Sequence, residues 1–173
     1  MPAVGEQAPS FSLPDTEGAV HEPGGAPATV VVFTCNHCPY ALAWHERLMG
    51  VARDFAHRGV RMLAINPNDA QRYPRDSPQV MAARVREGDF DGVPYLRDES
   101  QEVARSYDAK TTPDVFLLDA TGTLRYRGAP DADYDDPALE AEFVRAALEA
   151  VLGGREPDPA ETKPVGCSIK WRG

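Results

Sequence analysis

The chain has 173 residues, of which 18 are Lys or Arg and 27 are Asp or Glu, so its formal net charge is −9. This length is typical of a single domain. The negative charge disfavours non-specific binding to nucleic acid or to an anionic membrane surface. The longest nearly apolar run, residues 26–33, is too short to cross a bilayer, and the N-terminus lacks the basic and apolar regions of a secretory signal. We therefore expect a cytoplasmic protein with no nucleic-acid or membrane partner.

The first half of the chain predicts two buried strands on either side of a helix. Alternating polar and apolar residues indicate a short strand at residues 10–13. Residues 29–33 (TVVVF) are a β-branched run with no polar break, which is typical of a strand covered on both faces. A helix is predicted from Pro39, because proline fits the first helical turn, and Gly59 ends it. A second buried strand follows at residues 60–65 (VRMLAI).

The second half predicts shorter helices and a hairpin, followed by a tail. Residues 66–78 are rich in Pro, Asn and Asp and indicate a loop. Further elements are helices at 79–87 and 102–107, strands at 115–118 and 123–127, and a final helix at 137–152. Asp136 would cap that last helix and Pro137 would begin it. The body then comprises residues 1–154, and residues 155–173 form a C-terminal tail, which we expect to dock on the body because its end, GCSIKW, is apolar.

Three cysteines are present, Cys35, Cys38 and Cys167, too few for a disulfide framework. Two of them lie three positions apart in the segment CNHC, which indicates redox chemistry or metal binding in a reducing compartment. The segment lies between a strand and a helix start, where backbone N–H groups and the helix dipole stabilise a thiolate and lower its pKa. We therefore expect Cys35 to be the nucleophile and Cys38 the resolving thiol. A protonated His37 would lower the pKa of Cys35 further and favour the reduced form.

Two other interpretations of the cysteines remain open. They could be unrelated buried residues, or they could belong to a zinc site with His37, His45 and Cys167 as further candidates. A tetrahedral zinc site needs about four ligands, and the chain has no second CxxC and no HxxxH pair. We therefore predict no metal and no cofactor.

A second motif, Thr112-Pro113, precedes the predicted strand at residues 115–118. Proline is excluded from a central strand but can begin one. The ordinary interpretation is a trans proline in a loop. The functional interpretation is a cis bond whose backbone faces the CxxC segment and pairs with an extended substrate.

The remaining candidates have structural interpretations. A histidine within a helix, such as His45, is more often structural than catalytic. The acidic run at residues 131–136 is most simply a solvated loop. Tyr40 and Trp44 would flank the site, where they either form an apolar rim for substrate or pack in the core.

Together, a strand, a CxxC at a helix start and a Thr-Pro ahead of a hairpin and final helix resemble the thioredoxin superfamily. The N-terminal stretch is similar to the opening of its alkyl hydroperoxide reductase/thiol-specific antioxidant branch, at Gly5, Ala8-Pro9, Phe11, Leu13 and Gly18. Four segments are similar to a group of bacterial redoxins in that branch: FTCNHCPYA, AINPNDAQRYPRDSP, PYLRDESQEVARSYDAKTTPDVFLLD and KPVGCSIKW. The resemblance implies an α/β, thioredoxin-like fold, with a central mixed sheet flanked by helices and an N-terminal strand extension. It also implies that Cys35 attacks, that Cys38 is its partner and that Pro113 is a cis-proline.

The chain departs from the family pattern at several positions. His37 stands where thioredoxins have a proline, as in disulfide oxidases. Residues 29–34 contain no acid, so the usual buried proton acceptor of thioredoxins is missing from that strand. Thr34 adjoins Cys35, but the strand has no proline of the peroxiredoxin type, which weakens the interpretation as a fast peroxidase. Thr111 stands where some relatives carry a cysteine.

The function that these residues favour is thiol–disulfide oxidoreduction. Its partners would be protein or small-molecule disulfides and a thiol reductant or thioredoxin-type donor. The alternative is a thiol-dependent peroxidase, in which peroxide oxidises Cys35 and either Cys38 or Cys167 resolves the sulfenic acid. A non-enzymatic scaffold, zinc-bound or merely structural, is the third interpretation. Cys167 is either a free thiol of the tail or a third redox thiol, and the sequence does not indicate the oligomeric state.

Overall fold

A computed structural model describes residues 2–173. The strands are β1 (Leu13–Pro14), β2 (Val20–His21), β3 (Ala28–Phe33), β4 (Arg61–Asn66), β5 (Tyr95–Arg97), β6 (Thr111–Thr112), β7 (Asp114–Asp119), β8 (Leu124–Gly128) and β9 (Cys167–Ser168). The helices are α1 (Pro39–Phe55), α2 (Pro78–Arg86), α3 (Glu102–Ser106) and α4 (Glu142–Leu152), with 3₁₀ turns at Ala56–Arg58 and Pro74–Asp76. Over residues 2–173, none of these helices combines the length and apolar character that a membrane span requires.

Five strands form one mixed sheet in the order β5-β4-β3-β7-β8. β3 pairs in parallel with β4, and β4 with β5, whereas β7 is antiparallel to both β3 and β8. β3 lies at the centre, and all six of its residues are buried. Its β-branched and aromatic side chains suit this place because they pack well on a pleated surface. The predicted central mixed sheet is therefore confirmed.

Alternate residues of β3 face the two layers that cover the sheet, since successive side chains of a strand point to opposite faces. Val30 and Val32 belong to a core that includes residues of α1 and α4. Val31 and Phe33 belong to a second core, which includes residues of α3 and the tail residue Ile169. Helices thus cover both faces, and the C-terminal tail contributes to one of them.

The short strands β2, β5, β6 and β9 were not predicted from the sequence, and two predicted elements have clearly different bounds. The N-terminal strand is shorter, since β1 begins at Leu13 and pairs with β2. The last helix begins at Glu142 instead of Pro137. The reason is Asp131, which is buried and accepts a hydrogen bond from the backbone N–H of Ala141, a residue with a left-handed φ of 62°. This contact holds the intervening chain in an irregular loop. The acidic run is the exposed loop that its composition suggested, except that its first residue, Asp131, is buried.

The C-terminal tail, residues 155–173, lies along the body. Its first part follows the edge of the sheet, where the Thr162 N–H donates to the carbonyl of Arg127 on β8. Its last part adds β9 to β6 as an antiparallel pair. Beyond β9, Trp171 lies under the guanidinium group of Arg105, which is 4.4 Å from the ring centre.

Candidate active site

The CNHC segment is held where the central strand ends and the longest helix begins. The N–H of Thr34 donates to the carbonyl of Ile65, which continues the pairing of β3 with β4 by one residue. Cys38 is the N-cap residue of α1, and Pro39 takes the first helical position. Cys35 and Cys38 are each only 1% exposed. Both thiols are therefore closed off from solvent in this state of the chain.

Thr112 connects the two thiols. Its hydroxyl lies 3.3 Å from the Cys35 sulfur, and its carbonyl accepts a hydrogen bond from the Cys38 thiol at 3.2 Å. The bond between Thr112 and Pro113 is cis. The structure thus brings Thr112-Pro113 directly against the CNHC segment, although 74 residues separate Thr112 from Cys38.

Cys167 is the third thiol of the same cluster. The pairing of β9 with β6 places Cys167 opposite Thr112. The Cys167 thiol is in hydrogen-bonding contact with the Cys38 thiol and packs against the Cys35–Cys38 pair. Unlike the other two, Cys167 is only half-buried. Cys38 therefore lies between Cys35 and Cys167.

The neighbours of the three sulfurs shift their pKa values in different directions. The Cys35 thiol donates a hydrogen bond to Cys38, as do the Cys167 thiol and the N–H of Ala41, and the pKa of Cys38 is lowered to about 4. The same hydrogen bond to Cys38, together with burial and the nearby negative charge of Asp76, raises the pKa of Cys35. Burial and the Cys38 charge raise the pKa of Cys167 to about 11.

These directions correct the expectation that Cys35 has the lowered pKa. The largest cause is the hydrogen bond between the two thiols, which raises the pKa of Cys35 and lowers that of Cys38; the N–H of Ala41 adds a smaller effect at Cys38. The hydroxyl of Thr112 and the backbone N–H of His37 each lower the pKa of Cys35, but the hydrogen bond to Cys38 and burial raise it by more.

His37 faces a carboxylate. Its Nδ1 lies 2.7 Å from Oδ2 of Asp76, an ion-pair distance that lacks the alignment of a hydrogen bond. Its ring also stacks on Tyr73 with an interplanar angle of 1° and a centroid separation of 5.9 Å. The carboxylate of Asp76 would offset a positive charge on the His37 imidazole. His37 would therefore lower the pKa of Cys35 less than the sequence suggested.

Asp76 is the site residue that sequence reasoning missed. It is fully buried and lies in the 3₁₀ turn within the predicted loop 66–78. Its carboxylate accepts hydrogen bonds from the backbone N–H of Asn36, at 2.7 Å, and from the side-chain amides of Asn66 and Asn68. The sequence contained a signal for this position. Asn66 ends β4, and the carboxyl ends of parallel neighbours such as β3 and β4 meet at one edge of the sheet. A cluster of Asn and Asp after β4 therefore had to lie beside the CNHC segment.

The side chain of Asn36, between the two cysteines, is held by a second set of polar groups. Its amide oxygen accepts from the hydroxyl of Tyr95 at 2.7 Å and from Arg84 at 3.0 Å, and its amide nitrogen donates to the carbonyl of Arg75. The Tyr95 hydroxyl in turn accepts from Asn66. These bonds fix the orientation of the CNHC turn independently of the thiols.

Within residues 2–173, one group of side chains could offer three ligand atoms to a metal ion. It consists of Cys35, His37 and Asp76, whose ligand atoms all lie within 4.8 Å of one another. Both oxygens of Asp76 already accept hydrogen bonds from asparagine side chains, so a metal would have to displace these. Of the further zinc candidates, His37 and Cys167 lie at the thiol cluster. His45 does not, because its Nε2 donates to the carbonyl of Asp89 and its ring packs on Phe90.

The two aromatic residues that follow the CNHC segment have different roles. Trp44 is a core residue, 1% exposed, and its indole N–H donates to the buried Asp131 at 2.8 Å. Tyr40 is half-buried, packs against the thiol cluster and contacts Tyr134 at a ring separation of 4.2 Å. Of Tyr40 and Trp44, it is therefore Tyr40, together with its neighbour Tyr134, that can form part of an apolar rim for substrate.

Comparisons with solved structures show which known folds this chain resembles. An uncharacterised conserved protein from Geobacillus kaustophilus is 40% identical and superposes with a TM-score of 0.92, over 99% of this chain and 94% of that one. The thioredoxin domain of a thiol-disulfide oxidoreductase from Bacteroides vulgatus is 18% identical and superposes with a TM-score of 0.60, over 72% of this chain and 86% of that one. The second likeness concerns the fold alone, and it confirms that the fold is thioredoxin-like.

Sequence comparisons place the chain in a family. The methylamine utilization protein MauD of Methylorubrum extorquens is 29% identical over 146 residues, which are 82% of this chain and 65% of MauD. The chain thus spans slightly less than two thirds of that relative. A model of the AhpC/TSA family matches residues 4–127, which is most of the chain and includes the CNHC segment and Thr112-Pro113. The resemblance to the redoxin branch of the thioredoxin superfamily is confirmed, and the chain belongs to the AhpC/TSA family.

Proposed function

We propose that the protein is a thiol–disulfide oxidoreductase whose redox couple is Cys35 and Cys38. The observation that carries the proposal is that the two thiols pack in one buried cluster and that each is within hydrogen-bonding distance of Thr112. Adjacent thiols of this kind can close a disulfide without a large movement of the backbone. The thioredoxin-like fold and the AhpC/TSA family support redox chemistry in general, and the thiol geometry supports disulfides as the substrate.

In the proposed cycle, Cys35 attacks a substrate disulfide and its proton passes to the neighbouring Cys38 thiolate. A Cys35–substrate mixed disulfide forms, and the first substrate sulfur leaves as a thiolate. Cys38 then loses its proton to the leaving group and attacks the Cys35 sulfur, which releases the second substrate sulfur as a thiolate and closes the Cys35–Cys38 disulfide. The substrate gains two electrons and the protein loses two. The low pKa of Cys38 suits this second step, because a thiolate is the attacking species.

The same balance describes the reverse reaction, in which the Cys35–Cys38 disulfide oxidises a dithiol. We propose that the substrates are protein or small-molecule disulfides and that a dithiol of the thioredoxin type returns the protein to its reduced form. Thr112 and Pro113 would present the backbone edge beside the thiols to an extended substrate. In this structure β9 pairs with that edge, so such a substrate has to displace the tail.

A variant pair tests the proposal with oxidised glutathione and a disulfide-bearing peptide as substrates. Cys35→Ser is expected to abolish turnover, and Cys38→Ser is expected to accumulate a mixed disulfide at Cys35, detected by intact mass. Retained turnover in Cys35→Ser would refute the assignment of the redox couple.

The same reduced protein, given hydrogen peroxide, tests peroxidase chemistry as the competing result. We expect slow peroxide consumption, because Cys35 is buried and its pKa is raised, whereas peroxide reacts with a thiolate. Rapid consumption that depends on Cys35, together with no turnover of disulfides, would replace the proposed function by a peroxidase.

A further inference from the structure

The backbone edge beside Pro113 is occupied by the chain's own C-terminal tail. β9 pairs antiparallel with β6, with Thr111 opposite Ser168 and Thr112 opposite Cys167. Extended peptides are commonly recognised by the addition of a strand to such an edge. The tail therefore lies in the place of an extended substrate, and it brings a cysteine to the position opposite Thr112.

The tail is anchored on both sides of Cys167. Before it, Gly166 lies so close to the body that a Cβ atom would collide with the carbonyl of Thr112 and approach the nitrogen of Pro113. After it, Ile169 is buried in the core that also contains β3 residues, and its N–H donates to the carbonyl of Lys110 at 3.3 Å. The cysteine is thus held in place by backbone pairing, by a glycine that permits close approach and by a buried side chain.

Cys167 differs from the other two thiols in its access to solvent. It contacts the Cys38 thiol and is half-buried, whereas Cys35 and Cys38 are almost completely buried. Cys167 is therefore the thiol of the cluster that solvent and an external thiol reach first in this state.

We propose that β9 is a built-in substrate strand and that Cys167 is a third redox thiol, which exchanges with the Cys35–Cys38 disulfide to form a Cys38–Cys167 disulfide. This inference rests on the proposed function of Cys35 and Cys38 and adds a second disulfide state to it.

The exchange requires no external oxidant or reductant. The Cys167 sulfur attacks the Cys38 sulfur, the Cys35–Cys38 bond breaks, and the proton of the Cys167 thiol ends on the released Cys35 sulfur. One disulfide and one thiol are present before and after the step. Its result is that the disulfide moves from two buried sulfurs to a pair that includes a half-exposed one. A reducing dithiol can then attack the Cys167 sulfur, release Cys38 as a thiolate, and close its own disulfide as Cys167 leaves.

The experiment maps disulfides after oxidation with one equivalent of diamide, quenching with N-ethylmaleimide and peptide mass analysis. In Cys35→Ser, most chains are expected to contain an intramolecular Cys38–Cys167 disulfide. In the unsubstituted protein, both the Cys35–Cys38 and the Cys38–Cys167 disulfides are expected. Gly166→Ala in the Cys35→Ser background should lower the yield of Cys38–Cys167 at least fivefold, because the tail can no longer lie against Thr112. The matched control is Val165→Ala, which changes an exposed neighbour in the tail and should leave the yield within twofold.

Two results would overturn the inference. One is a Cys35→Ser protein that keeps two free thiols or forms only intermolecular disulfides. The other is an undiminished yield in Gly166→Ala. If Gly166→Ala does not fold, Ile169→Ala takes its place, since it loosens the same strand by removing a core contact.

These results are distinguishable from failure of the proposed function. A Cys35–Cys38 disulfide with normal turnover, but no Cys38–Cys167 disulfide in either protein, would refute the built-in substrate strand and leave the redox couple intact. Absence of the Cys35–Cys38 disulfide together with absence of turnover would refute the redox couple, and with it the exchange that starts from this disulfide.

Discussion

The two thiols of the CNHC turn are equally buried, but their surroundings shift their pKa values in opposite directions. On one side, Cys35 lies near the carboxylate of Asp76, which asparagine side chains hold in place. On the other side, Cys38 receives hydrogen bonds from two thiols and from the N–H of Ala41 in the first turn of α1. Burial is the same, yet the pKa of Cys35 is raised and that of Cys38 is lowered. Hydrogen-bond partners and neighbouring charge, and not burial alone, give the two pKa values their different directions.

The two sides of the CNHC turn also differ in how firmly their partner groups are held. The Asp76 side consists of buried polar groups that depend on one another, so the loss of one leaves the others unpaired. The Cys38 side is completed by the tail, a segment that is held by a two-residue strand pair and a few side chains. Substitutions on the two sides should therefore differ in size and in kind.

The largest effect is expected from Asp76→Ala. The substitution leaves the N–H of Asn36 and the amides of Asn66 and Asn68 without their acceptor, and it should cost about 3–5 kcal/mol of the free energy of unfolding. Urea unfolding of the reduced protein measures this loss. The matched control is Glu149→Ala, which removes an exposed ion pair with Arg58 and should cost no more than about 1 kcal/mol. Equal losses in the two variants would show that the Asp76 network is not a structural centre.

Asp114 gives the next effect, as a dependence of stability on pH. It follows Pro113, and burial raises its pKa from 3.8 to about 7, although the N–H of Lys110 donates to it. Because this pKa is higher in the folded chain, the folded chain binds more protons between the two values. The associated stability is complete below about pH 4 and is lost as the pH rises through about 7.

Asp114→Asn is therefore expected to flatten the pH dependence of the unfolding free energy between pH 4 and 7, by an amount on the order of a few kcal/mol. Urea unfolding at a series of pH values tests this. A slope that is unchanged in Asp114→Asn would assign the pH dependence to another group.

Cys35→Ala tests whether the hydrogen bond from Cys35 lowers the pKa of Cys38. It removes the strongest hydrogen-bond donor to Cys38, and the pKa of Cys38, about 4 in the intact site, should rise by at least about one unit. Thiolate absorbance near 240 nm, followed over pH in the reduced protein, measures the midpoint. The companion variant Cys167→Ala removes the weaker thiol donor and should give a smaller rise. A larger rise in Cys167→Ala would reverse the order of the two donors.

The smallest effect is expected from Trp171→Ala at the tail. The substitution removes a half-buried ring and its contact with the guanidinium of Arg105, at a cost of about 1 kcal/mol. Because the loss falls on the tail, alkylation of Cys167 by iodoacetamide should accelerate several-fold, with little change in global unfolding. Lys163→Ala, at an exposed position of the tail, serves as the control. Equal alkylation rates in the three proteins would show that Trp171 does not hold the tail.

Local patterns predicted the elements well where one pattern dominated. The β-branched run of β3 and the proline at the start of α1 lie where the sequence placed them. The start of α4 was wrong, because the Asp136-Pro137 signal is local, whereas the buried Asp131 accepts from Ala141 and keeps residues between them out of the helix. Trp44 was ambiguous in the sequence, since only its contact with Asp131 identifies it as a core residue.

The sequence by itself determined the chemistry that is available to this protein. Two cysteines three positions apart at a helix start indicated redox chemistry or metal binding, because spacing and local signals are properties of the chain. Together with Thr112-Pro113 ahead of a hairpin they resemble the redoxin pattern, and that resemblance implied the fold. Only the tertiary structure decided which groups surround each thiol and in which direction they shift its pKa. Asp76, Thr112 and Cys167 approach the CNHC segment from three distant parts of the chain, and pKa values depend on these neighbours through distances that no local pattern contains.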